Sequence, residues 1–439
     1  MSTQVDVGES GCDTDHSTRY FITPGFRWGF VLVASLFFLW AIANNFNDIL
    51  VHQFQGALAL NRAQAGLIQF VFYIGYFTMA LPAGLLMRRW GYKTGILIGL
   101  GLYAAGAMLF YPAADIRTYG LFLAALYVIA LGAALLETAA NPFVIAFGDR
   151  HRAAQRLNFA QAFNGLGGFI APIIGGIFIF SGANVSSATL ASMPAAQRLA
   201  LRVSQSHAVR MPYLVLAGVV ILLALAVALT RLPETRPEHP SAALAPQMRA
   251  LGREPALRGA VLAQFFYVGA QVGVWSFFVD FALDVTPGIS ARRAAFLLSA
   301  SLALFMIGRF SGSALMQRVR PERLLMLYAA ANVLLCAVAI GASHELAIGA
   351  LMLTSFFMSI MYPTIFSLGV QDLGELTPLG SSFIVMAIIG GAVVPPLMGV
   401  IATAMGTTHY AMALPLACFL VVGIYARRVA RSGARTIPG

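Results

Sequence analysis

Apolar runs of roughly 20 residues recur along the chain, each closed by a short polar gap. About 20 apolar residues is the length a helix needs to cross the hydrocarbon core of a bilayer. The pattern predicts six spans at residues 28–50, 64–87, 94–114, 119–147, 158–181 and 211–231. It predicts six more at 258–283, 292–316, 323–342, 346–367, 380–403 and 409–427. Between the two sets, residues 232–257 carry Pro233, Pro237, Pro240, Pro246 and Pro255 together with several charges, which reads as a linker. The expected architecture is an all-α polytopic membrane protein with twelve transmembrane helices in two six-helix bundles. Its expected parts are a tail (1–27), a first bundle (28–231), the linker (232–257), a second bundle (258–427) and a tail (428–439). A second polar loop, residues 182–207, interrupts the first half.

Composition agrees with a membrane protein. Hydrophobic residues make up 59% of the 439 and charged residues 10%, against about 25% charged in soluble domains. The net charge of +11 does not mark a nucleic-acid binder, because the cations sit in the gaps between apolar runs. They favour one side: Arg88, Arg89 and Lys93; Arg150, Arg152 and Arg156; Arg231, Arg236, Arg249 and Arg253; Arg318, Arg320 and Arg323; Arg427, Arg428, Arg431 and Arg435. Arg198, Arg202, Arg292 and Arg293 dilute the contrast on the other side. By the positive-inside rule both termini and the linker are expected in the cytoplasm. Residues 1–26 lack the basic start and small-residue cleavage site of a secretory signal, so the first helix is expected to be an uncleaved anchor. Cys12, Cys336 and Cys418 have no metal-ligand spacing, and no nucleophile–base pair stands out, so neither a metal, a cofactor nor an enzyme is expected.

Two segments echo each other six spans apart: Ala83-Gly84-Leu85-Leu86-Met87-Arg88-Arg89 and Gly312-Ser313-Ala314-Leu315-Met316-Gln317-Arg318. Parallel repeats of this kind build many transporters, although small, apolar and then basic residues also end any helix that enters cytoplasm.

Polar residues within the spans carry the candidate chemistry, because a charge at membrane depth costs at least about 2.5–3.5 kcal/mol and is usually functional. The first span ends in Phe38-Leu39-Trp40-Ala41-Ile42-Ala43-Asn44-Asn45-Phe46-Asn47-Asp48. Asp48 is either a functional acid or an interfacial, exposed one. Glu137 lies within the fourth span, with Asn141 one turn on and Pro142 positioned to kink the helix. Glu137 reads either as a buried, satisfied carboxyl or as a proton carrier, and the carrier reading is favoured. In the fifth span Gln161 and Asn164 share a face, whereas Asn158 reads as a helix-start cap. Gln264, Tyr267, Gln271 and Trp275 form one stripe of the seventh span. Phe305 and Arg309 share a face of the eighth, where Arg309 is either snorkelling or an intramembrane counter-charge. Tyr362-Pro363 marks a kink in the tenth span, and Gly390-Gly391 with Pro395-Pro396 mark close packing and bending in the eleventh. Amides, two acids and aromatic faces without a central cation cluster suit a neutral, polyhydroxylated ligand.

These residues resemble the fucose:proton symporter family of the major facilitator superfamily. The resemblance runs over nearly the whole chain. It is most specific at residues 38–48, Ala65-Gly66-Leu67-Ile68-Gln69, residues 136–143, and Arg156-Leu157-Asn158-Phe159-Ala160-Gln161-Ala162-Phe163-Asn164. In the second half it rests on residues 263–271, 362–369 and 381–386. It implies a monomeric bacterial inner-membrane carrier of a sugar and protons, with L-fucose favoured by Gln271 and Trp275 over glucose, galactose or N-acetylglucosamine. A sugar sensor that has lost transport is the rival from another class. The resemblance makes Glu137 the main proton carrier and Asp48 the coupling acid. Asn45, Gln161 and Asn164, with Asn141 and Gln271, would hold the sugar, and Trp40, Trp275, Phe305 and Tyr362 would flank it. One departure from the superfamily's loop signature is Arg88 after Gly84-Leu85-Leu86-Met87, where an Asp is usual.

Overall fold

The structure, a computed structural model, describes residues 20–57, 62–116, 118–178, 193–194, 197, 210–232 and 243–434. The first half contains α1 (Arg27–Ala57), α2 (Arg62–Ile116), α3 (Tyr119–Ala146), α4 (Ala153–Phe178) and α5 (Arg210–Leu229). The second contains α7 (Pro255–Val285), α8 (Ala291–Leu315), α9 (Pro321–Gly341), α10 (His344–Met358), α11 (Met361–Val370), α12 (Thr377–Met386), α13 (Gly390–Met405) and α14 (Ala413–Ala434). A short helix, α6 (Leu244–Arg253), precedes α7.

Thirteen of these fourteen helices make the twelve spans, with α2 counting as two and α10–α11 and α12–α13 as one each, whereas α6 does not span. The second and third spans, together labelled α2, are two helices that meet at Gly91, whose φ 79° and ψ 171° break the helix. That backbone region is open to glycine and closed to residues with a Cβ. The tenth span is α10 followed by α11, parted at Ser359–Ile360. The eleventh is α12 and α13, parted by a 3₁₀ turn at Ala387–Ile389.

Three sequence expectations shift. The expected bend at Pro363 occurs one turn earlier, because a proline offers no N–H to the carbonyl four residues back. The carbonyl of Ser359 is thereby released from the helix ladder, and Arg309 Nε donates to it at 3.1 Å. Pro142, in contrast, sits within an uninterrupted α3. The stretch 232–257 is not wholly irregular: its prolines obscured α6, which carries Pro246 in its first turn and buries Leu251, and α7 starts already at Pro255. Proline is tolerated in a first turn, where the N–H has no helical partner.

Two cations counted above as gap charges hold helix ends. Arg156 is fully buried and donates to the carbonyls of Val144 (2.8 Å), Phe21 (3.1 Å), Gly148 (3.2 Å), Asp149 (3.2 Å) and Ile145. It thereby satisfies the orphan acceptors at the end of α3. Lys93 donates to Ala228 O and Thr230 O, both at 2.9 Å, and closes the end of α5.

The halves meet at the arginine-rich end of the spans. Ser313 Oγ donates to Gln155 O at 3.1 Å, Asn158 Nδ2 to Thr364 Oγ1 at 3.1 Å, and Arg150 Nη2 to Gln371 O at 2.7 Å. Arg150 also pairs with Asp372. Gly84 presses on Ser382 and on Pro378 O so closely that a Cβ at 84 would overlap the Ser382 hydroxyl. The first echo segment thus lies on a seam between halves through Gly84, and so does the second, through Ser313.

Two predictions follow from this seam. A Gly84→Val substitution is expected to hold the arginine-rich end apart, so that a cysteine placed at Ser382 in the purified protein reacts with a maleimide at least about tenfold faster. Unchanged reactivity would show that the close contact is not maintained. Asp372→Asn, in contrast, removes an exposed pair of the kind worth about 0–1 kcal/mol. It should change transport by less than about fivefold, and a larger loss would mean that the pair is more than a surface contact.

Candidate functional site

Glu137 occupies the middle of α3, 6% exposed, among residues that are otherwise small or apolar. Its carboxyl faces the hydroxyls of Tyr76 on α2 and Tyr362 on α11, with the Arg309 guanidinium within electrostatic reach. One turn on, Asn141 is fully buried on the same face. Its Oδ1 accepts from Gln161 Nε2 on α4 at 2.9 Å. Asn141 Nδ2 and the Tyr362 hydroxyl are neighbours, yet neither completes a hydrogen bond within the protein.

Arg309 organises the amides. It is 4% exposed, so it does not snorkel to the surface. From α8 its Nη1 donates to Gln161 O, to Gln161 Oε1 at 3.2 Å and to Asn164 Oδ1 at 3.3 Å. A guanidinium has donors only. It therefore turns both amide oxygens toward itself and both NH₂ groups away: Gln161 toward Asn141, and Asn164 toward Phe37 O at 3.3 Å. Asn141 ends this relay with its own NH₂ unspent, beside the Glu137 face. Gly165 leaves the aliphatic part of Arg309 ordinary van der Waals room.

An aromatic wall continues from the same cation. Arg309 lies 4.6 Å over the Phe305 ring, and Phe305 meets Trp275 edge to face at 5.0 Å. Trp275 Nε1 donates to Ser355 Oγ at 3.0 Å, and Ser355 is 2.7 Å from Ser301 Oγ. Along the α7 stripe, Gln264 and Tyr267 are fully buried whereas Gln271 and Trp275 are half-buried. Tyr267 donates to Met358 O at 3.1 Å. The stripe thus starts in packing and ends at the aromatic wall.

On α1, Trp40 is 2% exposed and packed on Phe37 at 4.4 Å, within the core rather than at its edge. Asn45 Nδ2 donates to Ala41 O at 2.8 Å and sits over Gly168 of α4. Asp48 is in the helical part of α1, but its side chain, with those of Asn44 and Asn47, lies outside the described residues.

The structure brings together Glu137, Asn141, Gln161, Asn164, Arg309, Phe305, Trp275 and Tyr362 from both halves. One expectation fails: Asn158 is not a cap, since α4 begins at Ala153 and Asn158 is fully buried in its second turn, bonded to Thr364 across the halves. Sequence reading missed Tyr76, Ser301 and Ser355. Hydroxyls within apolar helices were the available signal, but a helix can satisfy them by back-bonding, so they do not stand out.

The geometry defines a polytopic carrier with one polar site buried between two six-helix bundles. The Major Facilitator Superfamily model matches residues 20–386. The chain is 45% identical to the L-fucose-proton symporter of Escherichia coli (strain K12) over 415 residues, 93% of this chain and 94% of that one. It is 36% identical over 422 residues to the L-fucose-proton symporter of Haemophilus influenzae, covering 93% and 97%. A glucose/galactose transporter of Brucella abortus is 38% identical over 402 residues, covering 91% and 94%. Among solved structures, the transporter FucP in the outward conformation superposes with a TM-score of 0.87 at 45% identity, covering 92% of this chain and 99% of that one. The chain belongs to the Major Facilitator Superfamily and, within it, to the family of the L-fucose-proton symporters.

Proposed function

We propose that this protein takes up L-fucose together with protons, by alternating access of a single central site. The observation that carries the reading is the meeting of Glu137 with the far end of the amide relay. A proton arriving at the carboxyl and a sugar hydroxyl arriving at Asn141 or Gln161 enter the same small volume. Burying a bare carboxylate is costly, and protonation removes that cost as the site closes. The Trp275–Phe305 wall offers aromatic faces to the apolar C–H side of a sugar ring. Asn45 and Asn164 complete the amide lining, Gln271 flanks it, and Asp48 acts as the second acid. The bundles 28–231 and 258–427 rock about this site.

The arginine bias supports a cytoplasmic location for both termini and the linker; the likeness to bacterial symporters supports an inner membrane, and a site built wholly from one chain supports one chain as the working unit. The arginine-rich seam is then the cytoplasmic gate, shut here by Ser313–Gln155, Asn158–Thr364 and the packing of Gly84 rather than by an Asp at position 88. The likeness to a relative's outward conformation supports the same assignment. The test is uptake of labelled L-fucose into proteoliposomes with alkalinisation of an unbuffered medium, run beside D-glucose, D-galactose and N-acetylglucosamine. L-Fucose should give both signals. Preference for D-glucose or D-galactose would move the protein to its Brucella relative's specificity, and binding without flux would make it a sensor.

A further inference from the structure

We propose that the arginine-rich end of the second half holds an anionic membrane phospholipid, in a site separate from the central cavity. A groove of about 2370 Å³ runs there between α6, α7, α12 and α14. Its two long walls repeat one chemical gradient. On α14, Val421, Ile424, Arg428 and Arg431 follow at spacings of three, four and three along one helical stripe. On α7, Phe265, Leu262 and Arg258 run in the same sense. Each wall is apolar within the span and turns to arginine at its end. Leu262 and Ile424 are about half exposed, at 54% and 52%, beside a lining that no helix among the described residues covers. Hydrocarbon beneath a cationic rim is the complement of acyl chains beneath an anionic head group.

Charge selects the anionic class. Arg258, Arg320, Arg428 and Arg431 line the groove with Glu254, Glu322 and Asp372. Glu322 pairs with Arg320 at 2.6 Å, and Asp372 pairs with Arg150 from the other half. With those two pairs set aside, Arg258 and Arg431 line the groove without an ion pair, and Glu254 is the one lining carboxylate left beside them among the described residues. A second observation points into the same groove: Tyr425, 5% exposed and among its lining residues, has a hydroxyl with no hydrogen-bond partner. A free phosphate would use the arginines and leave the apolar walls unmatched, so the geometry favours the lipid.

The experiment is lipid retention by the purified full-length protein in native mass spectrometry, offered phosphatidylglycerol and phosphatidylcholine of the same acyl chains. Wild type should retain phosphatidylglycerol in preference. Near a membrane surface each arginine is worth about 1 kcal/mol, so a double R258Q/R431Q variant should weaken that preference roughly 30-fold. An R427Q variant serves as the control, since Arg427 is exposed on α14 but does not line the groove. It should retain the lipid as wild type does, and all three proteins should melt at similar temperatures. Equal retention of the two lipids by wild type would overturn the proposal, as would an unchanged preference in the double variant. So would an equal loss in R427Q, which would reveal only general surface charge, and so would displacement of the lipid by millimolar inorganic phosphate.

Discussion

Glu137→Gln is expected to abolish accumulation of L-fucose against a gradient while exchange of labelled for unlabelled sugar continues. Glutamine keeps the shape of the side chain and its hydrogen-bonding reach toward Tyr76 and Tyr362, but it cannot take up or release a proton. The site would then resemble the protonated state permanently, a state in which closing over the sugar buries no carboxylate charge. The size of the loss follows from the driving force. One elementary charge moved through 100 mV is worth about 2.3 kcal/mol, which sustains a roughly 50-fold sugar gradient. In proteoliposomes with an imposed potential, wild type should approach that ratio and the variant should stop at equilibration. Counterflow in the variant should stay within about tenfold of wild type. If E137Q still concentrated sugar, the coupling proton would have to be carried elsewhere. Asp48 would be the first alternative, and Asp48→Asn in the same assay would identify it.

The sequence pattern made most of the architecture legible because the bilayer imposes a length on every span. It failed where a local device overrode that rule. Pro363 was visible as a kink, but the break lies where the missing N–H leaves a carbonyl, at Ser359, and that shift supplies an acceptor to Arg309. The site was legible as an inventory, since acids and amides in hydrocarbon are conspicuous. Its wiring was not. Nothing in spacing distinguishes an arginine that snorkels from one that bonds across the molecule, and Arg309 proved to reach α4 from α8. Asn158 read as a cap because the span was expected to start there, whereas α4 already starts five residues earlier, at Ala153, and places it inside the helix.

Arg309 should be the residue whose loss is least recoverable. Removing it strips the amide oxygens of Gln161 and Asn164 and the proline-released carbonyl of Ser359 of their donor at once. A hydrogen bond to a charged group contributes about 1.5–3 kcal/mol. Losing two of these at the sugar site corresponds to roughly 100-fold weaker sugar retention at the low end. Arg309→Ala is therefore expected to eliminate exchange as well as accumulation, which separates it from E137Q, where exchange persists. The informative variant is Arg309→Lys. It keeps the charge but replaces a planar fork with a single ammonium. An ammonium cannot lie flat over Phe305 while donating to Ser359 on one side and to both amides on the other. Exchange in R309K should therefore stay below about a tenth of wild type, with the melting temperature reporting whether the fold survives. A lysine variant that exchanges sugar normally would mean that only a positive charge is needed, and the orientation of the amides would then have to be set by the sugar itself.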